Sequence, residues 1–337
     1  MGKKNKITYK DSGVDIKAGE QLFDSIKSMV SETHSGAVLN EIGSFGGFFQ
    51  ADFNHMSDPV LVSSVDGVGT KLIVTFKADV YDTIGQDLVN HCTNDIAVCG
   101  AKPLFFLDYF STGTLEQHVG YDVIKGFSYA CKQSGIVLIG GETAEMPDIY
   151  KKGEFDLAGT IVGVVDRREI IDGHSITEGN LLVGISSSGL HTNGYSLARK
   201  VLFNHYNIDD YLPETESTVG EELLKIHTSY LPLISATRKL DGVNGFAHIT
   251  GGGIIGNTKR IVPDGYGLKL DWNSWERPPI FDLIQELGNV PEEDMQATFN
   301  LGIGLVAVVD PEAYSSFKQK ALSLDSEPSI IGEIVQS

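Results

Sequence analysis

The stretch from Leu61 to Gly100 constrains this chain more than any other. An apolar, β-rich run from Val60 to Val65 breaks at Asp66-Gly67-Val68-Gly69-Thr70-Lys71. A segment of helical spacing then runs from about Thr83 to Cys99. Wound at 100° per residue, Asp87, Asn90, His91, Asn94 and Asp95 fall within an arc of roughly 140°. Leu88, Val89, Cys92, Ile96 and Ala97 take the other side. A merely solvated face is usually stocked with Lys, Glu and Gln, which are good helix formers. This face holds short Asp, Asn and His, poorer helix formers that can bind metal or fix a ligand. We read it as functional. Together with Asp66, Lys71 and the glycine turn it supplies hard oxygen ligands for magnesium, and backbone N–H groups plus a cation for phosphate. A Mg-nucleotide site needs both.

The 337 residues predict two domains, each with its own core. Asp and Glu outnumber Lys and Arg by 45 to 26, a net charge of −19. That excludes nucleic acid or an anionic membrane surface as the main partner, because such affinity rests on clustered cations. A small phosphorylated substrate needs only a few local donors and is not excluded. Cys92, Cys99 and Cys131 form no CxxC pair and read as reduced thiols. No apolar run approaches the ~18 residues of a membrane span. The start MGKKNKITYKDSG lacks a secretory h-region, and Lys6 stands where myristoylation wants Ser or Thr. The expectation is a cytoplasmic protein.

Along the chain, residues 1–13 read as polar and extended, and Asp15 to Val30 as an amphipathic helix. The glycine-rich Ile42-Gly43-Ser44-Phe45-Gly46-Gly47-Phe48 is a loop that permits close backbone approach to a ligand. A strand Leu104–Phe110, a helix Glu116–Ser134 and a strand Ile136–Ile139 follow. That strand is expected to end in a binding loop, Gly140 to Pro147, with Glu142 as a metal or ribose contact. A strand Asp156–Val165 closes the first half, and the turn-rich stretch 166–180 marks the boundary.

In the second half a strand, Leu181–Ser186, feeds Ser188-Gly189-Leu190-His191-Thr192-Asn193-Gly194 and a helix from Tyr195. Another, Gly245–Ile249, feeds Thr250-Gly251-Gly252-Gly253 and a helix carrying Lys259 and Arg260. A Ser/Gly/Asn loop entering a helix N-terminus suits an anion, because unpaired N–H groups and the helix dipole converge there. His191 and His248 flank these two loops and are candidates for proton transfer or substrate binding. Trp272 and Trp275 read as packing.

Tyr9-Lys10-Asp11-Ser12-Gly13-Val14-Asp15-Ile16, Asp66–Lys71, Asn94-Asp95, Pro103–Tyr109, Gly140–Pro147, Ser188–Ser196, His248–Gly253 and Phe299-Asn300-Leu301-Gly302-Ile303-Gly304 occur in that order. Together they closely resemble the phosphoribosylformylglycinamidine cyclo-ligase (aminoimidazole ribonucleotide synthetase) family over nearly the whole chain. The resemblance implies ATP-dependent ring closure of formylglycinamidine ribonucleotide to aminoimidazole ribonucleotide, in purine biosynthesis. It also implies an α/β (α+β) fold of two mixed-sheet domains, 1–168 and 169–337. In the family the N-terminal sheets of two subunits join into a barrel, making a homodimer.

On that reading Asp66, Asp95 and Glu142 hold Mg2+, with K+ a candidate second cation. Gly43, Ser44, Phe45, Gly46, Gly47, Asp66, Gly67, Gly69, Thr70 and Lys71 take ATP, with Asp87 and Asn90 in support. Ser188, Gly189, His191, Asn193, Gly194, Thr250, Gly251, Gly252 and Gly253 take the ribonucleotide, and His191, His248 and Lys71 are the catalytic candidates. Ser44 stands where a glycine is common, and Ala297 where many members carry Arg. The chain stops soon after Gly332–Val335.

The nearest rivals are other ATP-dependent members of the same superfamily, such as thiamine-monophosphate kinase or selenophosphate synthetase. Those tend to carry an acidic residue where this chain has His248. A non-catalytic nucleotide-binding scaffold is the rival from another class, and it would have no need for the set Asp66, Asp87, Asp95 and Glu142.

Overall fold

Alternation along β1 (Pro59–Gly67) sets up the first half. Val60 and Val62 turn toward a core, while Leu61 and Val65 face outward. The computed structural model describes residues 8–337. The Met-Gly start and Lys6 lie outside the described residues. Where an extended segment was expected, the described part makes a tight turn at Lys10–Ser12, closed by Gly13 at φ 96°.

Helix α1 (Ile16–Ser31) is capped by the Asp15 carboxylate, which accepts from Lys17 N. Then come α2 (Leu72–Ala78), α3 (Ile84–Ala97), β2 (Lys102–Thr112), α4 (Gln117–Ser134), β3 (Val137–Glu145) and β4 (Phe155–Asp166). The sheet order is β1-β4-β2-β3, with β2 and β3 parallel and the other pairs antiparallel. Leu22 and Ile26 of α1, Leu88 and Ile96 of α3, and Val123 and Phe127 of α4 pack on Phe106, Phe110 and Ile161 of the sheet. Among the described residues no helix covers the opposite face, where Leu61, Val65 and Tyr109 are exposed.

One expectation changes. The segment Gly140–Glu145 is not a loop but the second half of β3, paired residue by residue with Leu107–Thr112. Gly141 serves clearance rather than breaking the strand, while Gly140 has open space around it. A Cβ on Gly141 would lie 2.1 Å from Asp108 Oδ1. Glu145, at the strand end, accepts from the backbone N–H groups of Asp15 and Leu115 and so ties α1 to the entry of α4.

The second half contains β5 (Leu181–Ser186), α5 (Tyr195–Leu202), the short pair β6 (Tyr211–Leu212) and β7 (Ser217–Thr218), α6 (Val219–Leu223) and α7 (Leu231–Thr237). These are followed by β8 (Val243–His248), α8 (Gly253–Thr258), β9 (Tyr266–Leu270), α9 (Pro279–Gly288), α10 (Glu292–Thr298), β10 (Ile303–Val309), α11 (Tyr314–Leu322) and β11 (Pro328–Gln336). Its five-stranded sheet runs β8-β10-β5-β11-β9, antiparallel throughout. The interior strand β10 is buried at every position, so it reads as a continuous apolar run. Trp272 and Trp275 pack at the edge of this core, and Trp275 Nε1 donates to Leu301 O at 2.9 Å.

The two cores interlock. Val74 of α2 joins the cluster built by α5, α9 and α10, and Ala97 at the end of α3 joins the one under α7 and α11. No described helix is long and apolar enough to cross a membrane.

Phe106 is fully buried beneath α4, its ring 6.0 Å from that of Phe127. Phe106→Ala should lower unfolding free energy by about 3–5 kcal/mol, read from urea denaturation followed by circular dichroism.

Candidate active site

The polar face of α3 is turned toward the second half of the chain, not toward water. Asp87 Oδ1 accepts from His227 N at 2.7 Å, and Asn90 Nδ2 donates to His227 O at 2.7 Å. Asn94 Nδ2 donates to Thr228 O at 2.8 Å, while its Oδ1 accepts from Tyr230 N at 2.8 Å. Side chains one turn apart thus give the segment 227–230, which belongs to neither sheet, partners for its backbone groups. Lys71, at the end of the Asp66–Lys71 loop, meets Asp87 at 2.7 Å with both side chains fully buried. Its ammonium also donates to His191 O at 3.2 Å and Lys225 O at 2.8 Å. Burial pulls both partners toward neutrality, Lys71 down and Asp87 up, and their mutual attraction opposes it.

This corrects three assignments. Lys71, Asp87 and Asn90 hold the halves together, and neither the ammonium nor the Asp87 carboxylate is presented to a ligand.

The remaining residues of that face, His91 and Asp95, enter a cluster of imidazoles and carboxylates. His91 Nε2 lies 2.9 Å from Asp66 Oδ2 and 3.9 Å from Asp95 Oδ2. His248 Nδ1, at the end of β8, lies 2.8 Å from Asp95 Oδ1, and Ser64 Oγ donates to Asp95 Oδ2 at 3.1 Å. His227 Nε2 is 2.9 Å from His248 Nε2, and His191 stacks on His227 at 4.0 Å between ring centroids. Burial works against a charged His91, but Asp66 and then Asp95 outweigh it and raise its pKa. His248, His227 and His191 are lowered, in each case first by burial. Asp66 and Asp95 stay ionised below the usual carboxylate range: burial opposes this, and contact with His91 and His248 respectively overrides it. Both carboxylates keep partial exposure, 41% and 27% of the side chain, so the cluster reaches solvent.

The anion-type loops gather beside this cluster. Thr70 Oγ1 lies 3.0 Å from Ser196 Oγ. A Cβ on Gly69 would stand 3.9 Å from Thr192 O, and one on Gly251 would stand 3.2 Å from Asn193 Oδ1. Ser188 Oγ donates to Ile226 O, and the carbonyl of Gly189 accepts from Asn300 Nδ2 at 2.8 Å. Gly194 caps α5 in the left-handed region at φ 78°. The Thr250–Gly253 turn is pinned by Asn257, whose Nδ2 donates to the carbonyls of Thr250, Gly251 and Gly253. Gly252 is left-handed at φ 98°, and Gly253, at φ 65°, leaves no room for a Cβ against Gln296 O.

His191 takes a different place from the one expected of a proton carrier. Its Nε2 accepts from Ser188 N and Thr228 N, and the ring is only 1% exposed. It forms the floor of the site.

The Gly43–Gly47 loop stands elsewhere. With Glu142, Asp108 and the apolar flank of α1 it lines a separate cleft of about 650 Å³, and Phe45 is fully exposed at its rim. The burial of Asp108, reinforced by the Glu142 charge, pushes its carboxyl up to about 7. Glu142 pairs with Tyr109, which pairs with Ala158, which pairs with Gly67. Three strand spacings, roughly 14 Å at the backbone, separate it from the Asp66 loop. The expected trio Asp66, Asp95 and Glu142 is therefore not a single donor set. The described metal-competent group is His91, Asp95 and His248. Sequence reasoning also missed His227 and Asp108. Neither follows a glycine-rich turn, and the feature that marks each is tertiary burial.

Two α/β halves that bring glycine loops around carboxylates and imidazoles define a phosphate-handling, nucleotide-using class of enzyme. Residues 51–165 match the AIR synthase related protein, N-terminal domain, and residues 177–337 the AIR synthase related protein, C-terminal domain. The chain is 49% identical over 339 residues to the phosphoribosylformylglycinamidine cyclo-ligase of Syntrophotalea carbinolica, spanning 100% of this chain and 97% of that one. It is 52% identical over 306 residues to the enzyme of the same name from Thermodesulfovibrio yellowstonii, spanning 90% and 89%. Thiamine-monophosphate kinase from Stenotrophomonas maltophilia shares the fold, with a TM-score of 0.71 at 19% identity over 93% of this chain and 94% of that one. The chain belongs to the AIR synthase related family.

Lys71→Met leaves Asp87 buried without its counter-charge and should cost about 3–5 kcal/mol of stability. A lysine serving only ATP would leave the denaturation midpoint unmoved, so urea melts separate the two roles.

Proposed function

We propose that the chain catalyses ATP-dependent closure of formylglycinamidine ribonucleotide to aminoimidazole ribonucleotide, releasing ADP and phosphate. The observation that carries this reading is 49% identity over the full length to a cyclo-ligase, against 19% to a thiamine-monophosphate kinase of the same fold. The sequence His248-Ile249-Thr250, with its imidazole on Asp95, supports it further.

Closing the ring expels the formyl oxygen, a very poor leaving group as hydroxide. Transfer of the γ-phosphoryl group of ATP to that oxygen makes the leaving group phosphate. The neighbouring nitrogen then attacks the activated carbon, the C–O bond breaks, and that nitrogen loses a proton. Phosphoryl transfer is mostly positioning and charge neutralisation. The Ser188–Gly194 and Thr250–Gly253 loops hold the ribonucleotide and its phosphate through backbone N–H groups. The Gly43–Gly47 cleft and the Asp66–Thr70 loop serve ATP. His248, in contact with Asp95 and His227, takes the proton, and His191 supports it from beneath.

Asp66 and Asp95 fit a magnesium ion, being ionised oxygen donors partly open to the cleft. When bound, that ion would neutralise charge on the triphosphate. Glu142 serves the Gly43–Gly47 cleft instead. The division at residues 168/169 places one sheet in each domain, and the reaction belongs in the cytoplasm.

The helix-free face of the first sheet is the dimer surface on this reading. Leu61 and Val65 are 64% and 67% exposed in the isolated chain, an unusual cost for a strand face unless a second copy covers it. Val65→Lys should convert a dimer to a monomer in size-exclusion chromatography with light scattering; a dimer that persists rejects this face. His248→Ala should lower the cyclisation rate by about 10²–10⁴-fold in an assay of phosphate release that depends on formylglycinamidine ribonucleotide. A normal rate would make His248 structural, and phosphate release with thiamine monophosphate instead would overturn the function.

A further inference from the structure

The bend Phe299–Gly304 joins α10 to β10 and meets both glycine loops. Leu301 and Gly302 are left-handed there, at φ 50° and 99°. Asn300, only 3% exposed, reaches into the first loop, where its Nδ2 donates to Gly189 O at 2.8 Å. Its Oδ1 accepts from Ser187 Oγ at 3.1 Å and from Gly302 N at 2.9 Å. Ser187 N in turn donates to Gly302 O at 2.8 Å. Phe299 packs beside Gly194, where a Cβ would lie 2.2 Å from Phe299 Cε1. Toward the second loop, Gly304 O accepts from Ile249 N at 2.9 Å, and a Cβ on Gly253 would stand 3.3 Å from Phe299 O.

In a planar trans peptide the C=O and the N–H that follows it point in opposite directions. Anchoring Gly189 O on Asn300 therefore turns the Leu190 N–H away from Asn300. Asn257 does the same in the second loop: it holds the carbonyls of Thr250 and Gly251, so the N–H groups of Gly251 and Gly252 face the other way. None of these three N–H groups donates to a backbone carbonyl among the described residues. Leu190 is only 2% exposed, and a buried backbone donor is nearly always paired. We propose that Asn300 is a positioning residue for the phosphorylated ribose of the substrate: it aims the Leu190 N–H at the anion and, through the bend it closes, holds the first loop in register with the second. This rests on the reading that the two loops hold the ribonucleotide. Asn300 acts through Gly189 rather than by touching the ligand. The position demands a side chain that donates to a carbonyl while accepting from a hydroxyl and an N–H. An amide does both at any pH; a carboxyl does so only when protonated.

The test is Asn300→Asp in the full-length chain, which keeps the shape and both Oδ1 contacts but sets a carboxylate oxygen against Gly189 O. Binding of ribose 5-phosphate is measured by isothermal titration calorimetry, beside that of a non-hydrolysable ATP analogue. At neutral pH the variant should bind ribose 5-phosphate about 10–100-fold more weakly than the unaltered chain, and the ATP analogue within about twofold. On acidification the carboxyl regains a hydrogen, so the deficit should shrink; the ratio to the unaltered chain at each pH removes the titration of the ligand's own phosphate. In the cyclisation assay the KM for formylglycinamidine ribonucleotide should rise by the same factor, with kcat little changed. Ser187→Ala is the milder variant: it removes one anchor of Asn300 and should weaken ribose 5-phosphate about 3–10-fold. Phe106→Ala, destabilised in the other half, should bind ribose 5-phosphate normally, and circular dichroism verifies that each variant is folded. Unchanged ribose 5-phosphate affinity in the Asn300 or Ser187 variant, equal losses for the two ligands, or a deficit insensitive to pH overturns the proposal. So does failure of the unaltered chain to bind ribose 5-phosphate. Binding is read without turnover, so a chain that binds ribose 5-phosphate but cyclises nothing loses the cyclo-ligase reading and keeps the positioning role.

Discussion

Everything at the cleft depends on α3 supplying hydrogen-bond partners to the backbone of residues 227–230. That segment is buried or half-buried throughout, yet it lies in neither sheet. Its N–H and C=O groups would each cost on the order of 1–3 kcal/mol if left unpaired. Asp87, Asn90 and Asn94 satisfy them from one helical face. The Lys71–Asp87 pair then locks the Asp66–Lys71 loop to the His191 turn through two further carbonyls. A buried ion pair is a poor source of net stability compared with apolar packing. Its value here is registry: it fixes where Asp66 and Asp95 of one half stand relative to His227 and His248 of the other.

That registry accounts for how sharply the loops are bent. His191 adopts φ 62°, a left-handed conformation uncommon for a non-glycine residue, and its ring packs so close to Gly304 that a Cβ there would lie 2.6 Å from His191 Cε1. The turn is held by what surrounds it, since its carbonyl accepts from Lys71 and its Nε2 from Ser188 and Thr228. Remove the interdomain pairing and the His191 turn loses its reason to be strained. Loop geometry in the second half is in this sense dictated by a lysine in the first.

Much of this was legible in the sequence where the signal was periodic. The strands at 181–186 and 155–166, the helices at 16–31 and 117–134, and both glycine loops ahead of α5 and α8 follow from apolar spacing and turn chemistry. The arc on α3 is turned inward rather than solvated, but three of its five polar residues bind backbone instead of a ligand. What composition could not distinguish is ligand from backbone, because an amide or carboxylate that binds a phosphate-bearing molecule has the same chemistry as one that binds a peptide group. Asp87, Asn90 and Asn94 turned out to bind peptide. The Gly140-Gly141 pair read as a loop because glycine usually breaks a strand, but here Gly141 only clears space for Asp108. Strand order decided Glu142, and order across a sheet leaves no trace in local sequence. His227 lacked any flanking signal.

With Lys71 withdrawn into the seam, the charge logic of the cleft changes. A chain of net charge −19 that keeps two ionised carboxylates facing its ligands cannot rely on the lysine of its own Asp66–Lys71 loop to attract a triphosphate. Lys225, which comes near the same seam, is engaged by Glu222 at 2.6 Å. Under the proposed function neutralisation falls instead to a divalent cation on Asp66 and Asp95 and to N–H groups of the glycine loops, whose partial charges are fixed in place before the ligand arrives. Such a site is selective by construction: without the metal its carboxylates repel the phosphates, and with it they become the anchor. On that reading the open carboxylates are the counterpart of the buried lysine.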